Sequence, residues 1–212
     1  MPKLIHAVFV RDEAHCLNNM LDSVLPYVED SYILIDDRTT DNTKEVAEAR
    51  GCHTKLFTFE NFAKSNNVLL KWINDKADWV LFIAPDETID PEFGEMLKTL
   101  VPKLESTTVD CIRFPRRHWL DLEKTNEYTE KNWYPDWQGR LLRLDYPRIH
   151  LFRYVHELIG GARKTLQIKG YDINHFNLYW KKQVPYTWEE MTKVYDELQK
   201  KYEDEKGVNI WP

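Results

Sequence analysis

Two pairs of acidic residues stand just beyond apolar runs. Asp36-Asp37 follows Tyr32-Ile33-Leu34-Ile35, and Asp86-Glu87 follows Val80-Leu81-Phe82-Ile83 by way of Ala84-Pro85. Runs of four apolar residues suit buried strands and are far too short to span a membrane. Pro85 has no amide hydrogen for a sheet ladder, so the second strand ends at about Ala84 and delivers Asp86 to the carboxyl edge of a sheet, where open α/β folds place their ligands. A carboxylate there is costly to bury alone and useful beside a cation. Asp86 is therefore read as the ligand of a divalent ion, Mn2+ or Mg2+, that in turn holds a diphosphate; such ions need only one or two protein ligands when phosphates and waters supply the rest. Asp36-Asp37 admits two readings. One of its carboxylates can accept the imide N–H of a uracil ring, or both can cap the turn and helix that follow. His156 and His175 are the imidazoles that could complete an ion site.

The elements that must position these groups alternate along the first half of the chain. Strands are expected at 4–10, 32–35, 55–59 and 79–83. Helices are expected at 14–25, where Leu17, Leu21, Val24 and Leu25 share a face before Pro26, and at 42–50, opened by Thr40 or Asp41 and closed by Gly51. Two more fall at 65–76 and, begun by Asp90-Pro91, at 92–100. This alternation predicts an α/β fold with a mostly parallel sheet flanked by helices. After Pro102 the pattern changes to strands at 109–115, 140–144, 164–168 and 171–175 around an irregular stretch, 116–138. A helix at 187–201 then carries Trp188, Met191, Val194, Tyr195 and Leu198 on one face, and the charge run 200–206 reads as a solvated tail.

Composition narrows the function. A formal net charge of −6 argues against nonspecific nucleic-acid binding, which depends on neutralising phosphates. Cys16, Cys52 and Cys111 are odd in number and far apart, which suggests neither a disulfide framework nor a metal cluster and fits a reducing compartment. No charged leader followed by an apolar run is evident, and no stretch approaches the roughly 20 apolar residues of a membrane span. A cytoplasmic protein without a membrane span is expected. The 8 Trp, 11 Tyr and 9 Phe exceed what a core of this size needs, and flat apolar faces suit sugar rings and nucleobases.

Five motifs in order, Val10-Arg11-Asp12-Glu13, Ile35-Asp36-Asp37-Arg38-Thr39-Thr40-Asp41-Asn42-Thr43, Trp79-Val80-Leu81-Phe82-Ile83-Ala84-Pro85-Asp86-Glu87, Arg140-Leu141-Leu142-Arg143 and Val155-His156-Glu157, resemble the family 2 glycosyltransferases of GT-A fold over roughly residues 3–180. Among these the chain is similar to the amino-terminal domain of longer algal-virus members, which implies further domains on a longer chain. The resemblance implies a GT-A-like sheet with a nucleotide-sugar-binding half (1–104), an acceptor and catalytic half (105–180) and a C-terminal helix and tail (181–212). It implies transfer of a sugar, with inversion, from a UDP-sugar to a hydroxyl of a glycan or glycoprotein.

Residue by residue, the resemblance assigns Asp37 to the base and the exit of the first strand, Val10, Arg11 and Glu13, to base and ribose. Lys64, Asn66 and Asn67 fall where the family approaches the diphosphate. Asp86 matches the last acid of the family's Asp-x-Asp signature, but Ala84 replaces the first acid, and Arg38 stands where a glycine is usual. His156 matches the family's late metal-binding histidine best, with His175 the alternative. Inverting transfer needs a base to take the acceptor's proton. Asp136, within Trp133-Tyr134-Pro135-Asp136-Trp137 and four residues before Arg140, is the first choice, since its aromatic neighbours would raise its pKa by desolvation; Glu157 is second and Asp121 third. Residues 116–134 should form a lid over the acceptor, with Arg117, Trp119, Trp133 and Trp137 against it. Two rivals stand beside this reading. A nucleotidyltransferase should carry a glycine-rich phosphate loop, and residues 10–17 have no glycine. A non-catalytic nucleotide-sugar or glycan-binding module is made credible by Ala84.

Overall fold

The first strand shows how the sheet is built. Successive side chains of a strand point to opposite faces, and β1 (Leu4–Val10) sends Leu4, Val8 and Val10 to one face and Ile5 and Ala7 to the other, with all five buried. A computed structural model describes residues 2–130 and 133–206. After β1 come α1 (Ala14–Val24), β2 (Ser31–Asp36), α2 (Thr43–Ala49), β3 (His53–Phe57), α3 (Phe62–Ile73), β4 (Trp79–Leu81), β5 (Glu87–Ile89) and α4 (Pro91–Leu104). The second half contains β6 (Cys111–His118), β7 (Asp136–Arg143), β8 (His150–Phe152), β9 (Leu158–Gly160), β10 (Thr165–Gln167), β11 (Ile173–His175), α5 (Asn177–Gln183) and α6 (Pro185–Lys206).

Among the described residues one mixed sheet runs in the order β3-β2-β1-β4-β7-β6-β11-β5, with β10 beside β6, while β8 and β9 form a separate hairpin. β3, β2, β1 and β4 are mutually parallel, as the strand–helix alternation requires. β7 is antiparallel to both β4 and β6. The α1 and α4 residues Leu17, Met20, Leu21, Phe93 and Leu97 fill one face of the sheet, and Leu69, Leu70 and Ile73 of α3 fill the other. Beneath the carboxyl ends of the strands lies His6, fully buried, with Nδ1 2.8 Å from the Ser31 hydroxyl and Nε2 3.1 Å from the Ile83 carbonyl. Burial lowers its pKa to about 4, so the ring is neutral near pH 7 and ties β1, β2 and the end of the β4 segment together.

Several expectations are corrected. β6 continues through Pro115 to His118 and β7 begins at Asp136, so both ends of the stretch expected to be irregular are strand. Pro115 pairs with Trp137 beyond a register shift at Ile112/Arg113; its presence and the bulky polar neighbours hid the period-2 pattern. α4 passes through Pro102 to Leu104. Residues 200–206 are the last turns of α6 rather than a tail, and Tyr202 packs edge-on against Tyr154 at 5.2 Å. The short β5, β8 and β9 and the seven-residue α5 carry too few residues to show a period. The side chains of Trp188 and Met191 lie outside the described residues. No described helix is long and apolar enough to cross a membrane.

Candidate active site

At the carboxyl end of β2 the two acids separate. Asp36, still in the strand, is buried, and Arg38 clasps it through Nε at 2.9 Å, a terminal nitrogen at 2.6 Å and its backbone N–H at 3.0 Å. Asp37 is exposed and accepts the Thr58 hydroxyl. Arg38 thus neutralises the inner acid, and its guanidinium also lies 5.4 Å from the Phe59 ring, which stacks on Phe9 at 5.5 Å. The exit of β1 is tied to the same loop. Asp12, at φ 53°, accepts the amides of Thr40 (2.7 Å) and Asp41 (3.3 Å), and the Glu13 amide donates to Thr43 Oγ1 at 2.8 Å. Arg11 pairs with Asp12 at 3.3 Å. The Glu13 side chain turns toward the crevice, where burial and the charge of Asp86 raise its pKa to about 8. Glu13, His15 and Cys16 bring three donor atoms within 4.8 Å of one another. Burial and the neighbouring acids push the Cys16 thiol far up, which makes it a poor ligand because thiolates bind metals.

The second acid pair also divides. Glu87 is fully buried: its Oε2 accepts the Ala84 amide at 2.9 Å, and its Oε1 meets Arg116 at 3.1 Å and Arg140. Asp86 faces the crevice with 21% of its side chain exposed. The antiparallel pairing of β11 with β5 sets His175 opposite Glu87, and His175 Nε2 lies 3.1 Å from Asp86 Oδ2. Burial pushes the Asp86 pKa up, but His175, Arg116 and Arg140 together outweigh it and bring it to about 2. Two neighbouring ligands of an octahedral ion with bonds of about 2.1 Å are about 3 Å apart. The carboxylate and imidazole of this pair therefore fit a divalent cation between them. His156, at φ 50° in the exposed turn before β9, instead tilts toward the Tyr195 ring at 5.9 Å. The structure brings His175 within hydrogen-bond distance of Asp86.

The two candidate bases contrast in the same way. Pairing of β6 with β7 sets Arg116 across from Asp136, whose carboxylate meets Arg116 at 2.6 Å, His118 Nε2 at 3.2 Å and the Gln138 amide at 2.6 Å. Although burial pushes its pKa up, His118 and Arg116 hold the Asp136 carboxyl well below the usual range, the opposite of the desolvated base expected. Glu157 accepts from the Asn66 amide at 2.8 Å, and burial raises its pKa against the opposing pull of Asn66 and Arg140. Asp121 spends its oxygens on Thr125 within an exposed turn.

Helical geometry sorts the α3 candidates. Asn66 reaches Glu157, whereas Asn67, 100° further round, exchanges hydrogen bonds with the Leu151 amide (2.8 Å) and carbonyl (2.7 Å). Lys64, three residues earlier on the Asn67 side, pairs with Glu60 and lines a groove between α3 and β8. Of the residues expected against the acceptor, Arg117 pairs with Asp172 and Glu127 and lies 4.3 Å from the Tyr134 ring, and the Trp119 indole donates to Asn174 at 2.9 Å. Trp137 sits within β7, and Trp133 presents 38% of its surface with its edge against His118 at 4.8 Å.

Sequence reasoning did not single out His118 or Arg116, nor the packing of Tyr195 near Glu157 and Asp86. The Tyr195 ring stacks on Phe62 at 4.9 Å, and burial together with Glu157 and Asp86 raises its pKa; its helical face was legible, its destination was not. Trp180 of α5 meets His15 edge-on at 5.2 Å.

A family model described as glycosyl transferase family 2 matches residues 7–158. A search of curated proteins finds no match. Among solved structures, glucosyl-3-phosphoglycerate synthase from Mycobacterium tuberculosis, in complex with Mn2+, uridine diphosphate and phosphoglyceric acid, is similar in fold with 14% identity and a TM-score of 0.57 over 83% of this chain and 71% of that one. S. aureus TarS 1-349 matches at 20% identity and a TM-score of 0.44, over 55% of this chain; the chain spans about a third (36%) of that protein's length.

Proposed function

Because the chain belongs to glycosyl transferase family 2, we propose that it moves a sugar from a nucleoside-diphosphate sugar, with uridine as the base, to a hydroxyl of a glycan or glycoprotein with inversion at the anomeric carbon. Its helix-flanked α/β sheet is of the GT-A kind. The observation that carries the reading is the Asp86–His175 pair, 3.1 Å apart at the carboxyl edge of the sheet. Support also comes from the Mycobacterium synthase, which was solved with Mn2+ and UDP. Residues 1–104 would serve the donor and 105–180 the acceptor.

In this reading Asp37 accepts the uracil imide N–H, while Val10, Arg11 and Glu13 border the base and ribose. Asp86 and His175 hold Mn2+ or Mg2+, which would offset charge on the departing diphosphate as a Lewis acid. Arg116 and Arg140, anchored by Glu87, add fixed positive potential beside that charge. Glu157 takes the proton of the acceptor hydroxyl as its oxygen bonds to the anomeric carbon and the bond to diphosphate breaks on the opposite face. A desolvated carboxylate of raised pKa is the better proton acceptor, which favours Glu157 over the arginine-paired Asp136. Trp133 and Tyr134, both partly exposed, offer rings to an acceptor sugar.

The test is Mn2+-dependent turnover across a panel of nucleotide-sugars. Asp86→Ala should abolish Mn2+-dependent donor binding and turnover together. Glu157→Gln should bind donor normally and turn over at least about 100-fold more slowly, the usual scale for a lost general base. Full activity in Asp86→Ala would overturn the assignment.

A further inference from the structure

Behind the Asp86–His175 pair a second histidine continues the hydrogen-bonded chain. β6 and β11 run parallel with His118 beside His175, and the two Nδ1 atoms are 3.0 Å apart. On its far side His118 Nε2 is 3.2 Å from Asp136 Oδ2. Both rings are buried, His118 at 5% exposure and His175 at 6%. Arg116 bridges Asp136 to Glu87, the residue next to Asp86. A continuous row, Asp86–His175–His118–Asp136, thus crosses from the edge of β5 to the start of β7.

Two ring nitrogens at contact distance share a single proton, so the tautomer of one ring dictates that of the other. When His175 offers its Nε2 lone pair to a cation, its proton resides on Nδ1 and points at His118. His118 must then accept at Nδ1 and carry its own proton on Nε2, where the Asp136 carboxylate accepts it. Both rings are neutral in this arrangement, and all four nitrogens are used. The other neutral tautomer of His118 would set two N–H groups face to face and turn a bare Nε2 lone pair toward the Asp136 carboxylate.

We infer that His118 is a positioning residue of the ion site: anchored by Asp136, it accepts the Nδ1 proton of His175 and so keeps His175 Nε2 bare and aimed beside Asp86. The inference rests on the reading of Asp86 and His175 as the ion's ligands. It gives Asp136 a task two groups removed from the cation, as the acceptor that selects the His118 tautomer. Outer hydrogen-bond partners of this kind typically change metal affinity by 10- to 100-fold.

The experiment is a titration of Mn2+ by electron paramagnetic resonance, with UDP present, on the wild type and on His175→Ala, His118→Ala, His118→Phe and His118→Asn. His118→Ala and His118→Phe should bind Mn2+ about 10- to 100-fold more weakly; phenylalanine fills the same space without a ring nitrogen and decides the matter if the alanine variant does not fold. His118→Asn, whose amide stands near the lost Nδ1, should recover part of the affinity. A purely structural role would lower the melting temperature of these variants while leaving the Mn2+ affinity of the folded protein unchanged. If His175→Ala loses Mn2+ while His118→Ala and His118→Phe stay within twofold of wild type, this inference falls and the ion site stands. Undiminished Mn2+ binding by His175→Ala would overturn both.

Discussion

Neighbouring acids in this chain do different work because consecutive residues leave a strand in different directions. In each tandem pair one carboxylate is buried against arginine, Asp36 by Arg38 and Glu87 by Arg116 and Arg140, while its neighbour keeps some exposure to solvent. Their substitutions should therefore separate. Glu87→Gln takes the counter-charge from Arg140 and one of the two from Arg116 and should cost about 3 kcal/mol in a urea unfolding experiment with donor binding per folded molecule kept, whereas Asp86→Ala should remove Mn2+-dependent binding from the folded protein. Glu157 supports a second prediction at this scale. Burial raises its pKa above the ordinary glutamate value, and a general base acts only when ionised. The acidic limb of kcat/KM should consequently lie above pH 4.5, with activity falling as pH drops through it, and a pH profile of Glu157→Gln should lack that limb.

At the scale of the element, α3 is the informative case. Asn66 and Asn67 are adjacent in sequence, but the helix sends one to Glu157 and the other to the backbone of β8. Asn67→Ala leaves a β-strand amide and carbonyl without their partner and should cost about 1–2 kcal/mol of stability, with turnover per folded molecule preserved. Asn66→Ala should leave the melting temperature nearly unchanged and reduce kcat, because Glu157 loses the donor that orients it. Equal effects of the two substitutions on kcat and melting temperature would contradict this division of the helix. The same geometry explains why Lys64 falls on the groove side with Asn67, since residues three apart share a helical face.

Across the whole molecule, the crevice sits on a neutral histidine. His6 joins β1 to Ser31 and to the Ile83 carbonyl, and its pKa is lowered from 6.5 to about 4. A histidine of depressed pKa binds a proton more readily in the unfolded chain, so stability is complete above pH 6.5 and declines as pH falls toward 4. The decline should approach about 3 kcal/mol, the equivalent of a shift of between two and three pH units, and should be largely absent in a His6→Asn variant that folds. Urea midpoints measured between pH 7 and pH 4 check it. Carboxylates held low by their partners, Asp86 with His175 and Asp110 with Arg148 and Arg163, follow the opposite rule: their contribution is present above the ordinary aspartate range and is lost only below about pH 4.

What the amino-acid order determined by itself is local. Apolar runs ending at Asp36 and near Asp86, the strand-breaking Pro85, and the strand–helix alternation to residue 100 each depend on neighbours within a few positions, and they sufficed for the α/β class and for the acids at the sheet's edge. The tertiary structure decided which partner each charge meets. His175, 89 residues from Asp86, reaches it through the pairing of β11 with β5, and Asp136 is neutralised rather than activated because the β6–β7 register lays Arg116 against it. Hydrogen bonds and ion pairs act over about 3–4 Å, so chemistry that depends on them is set by strand register and sheet order, which a linear pattern does not contain.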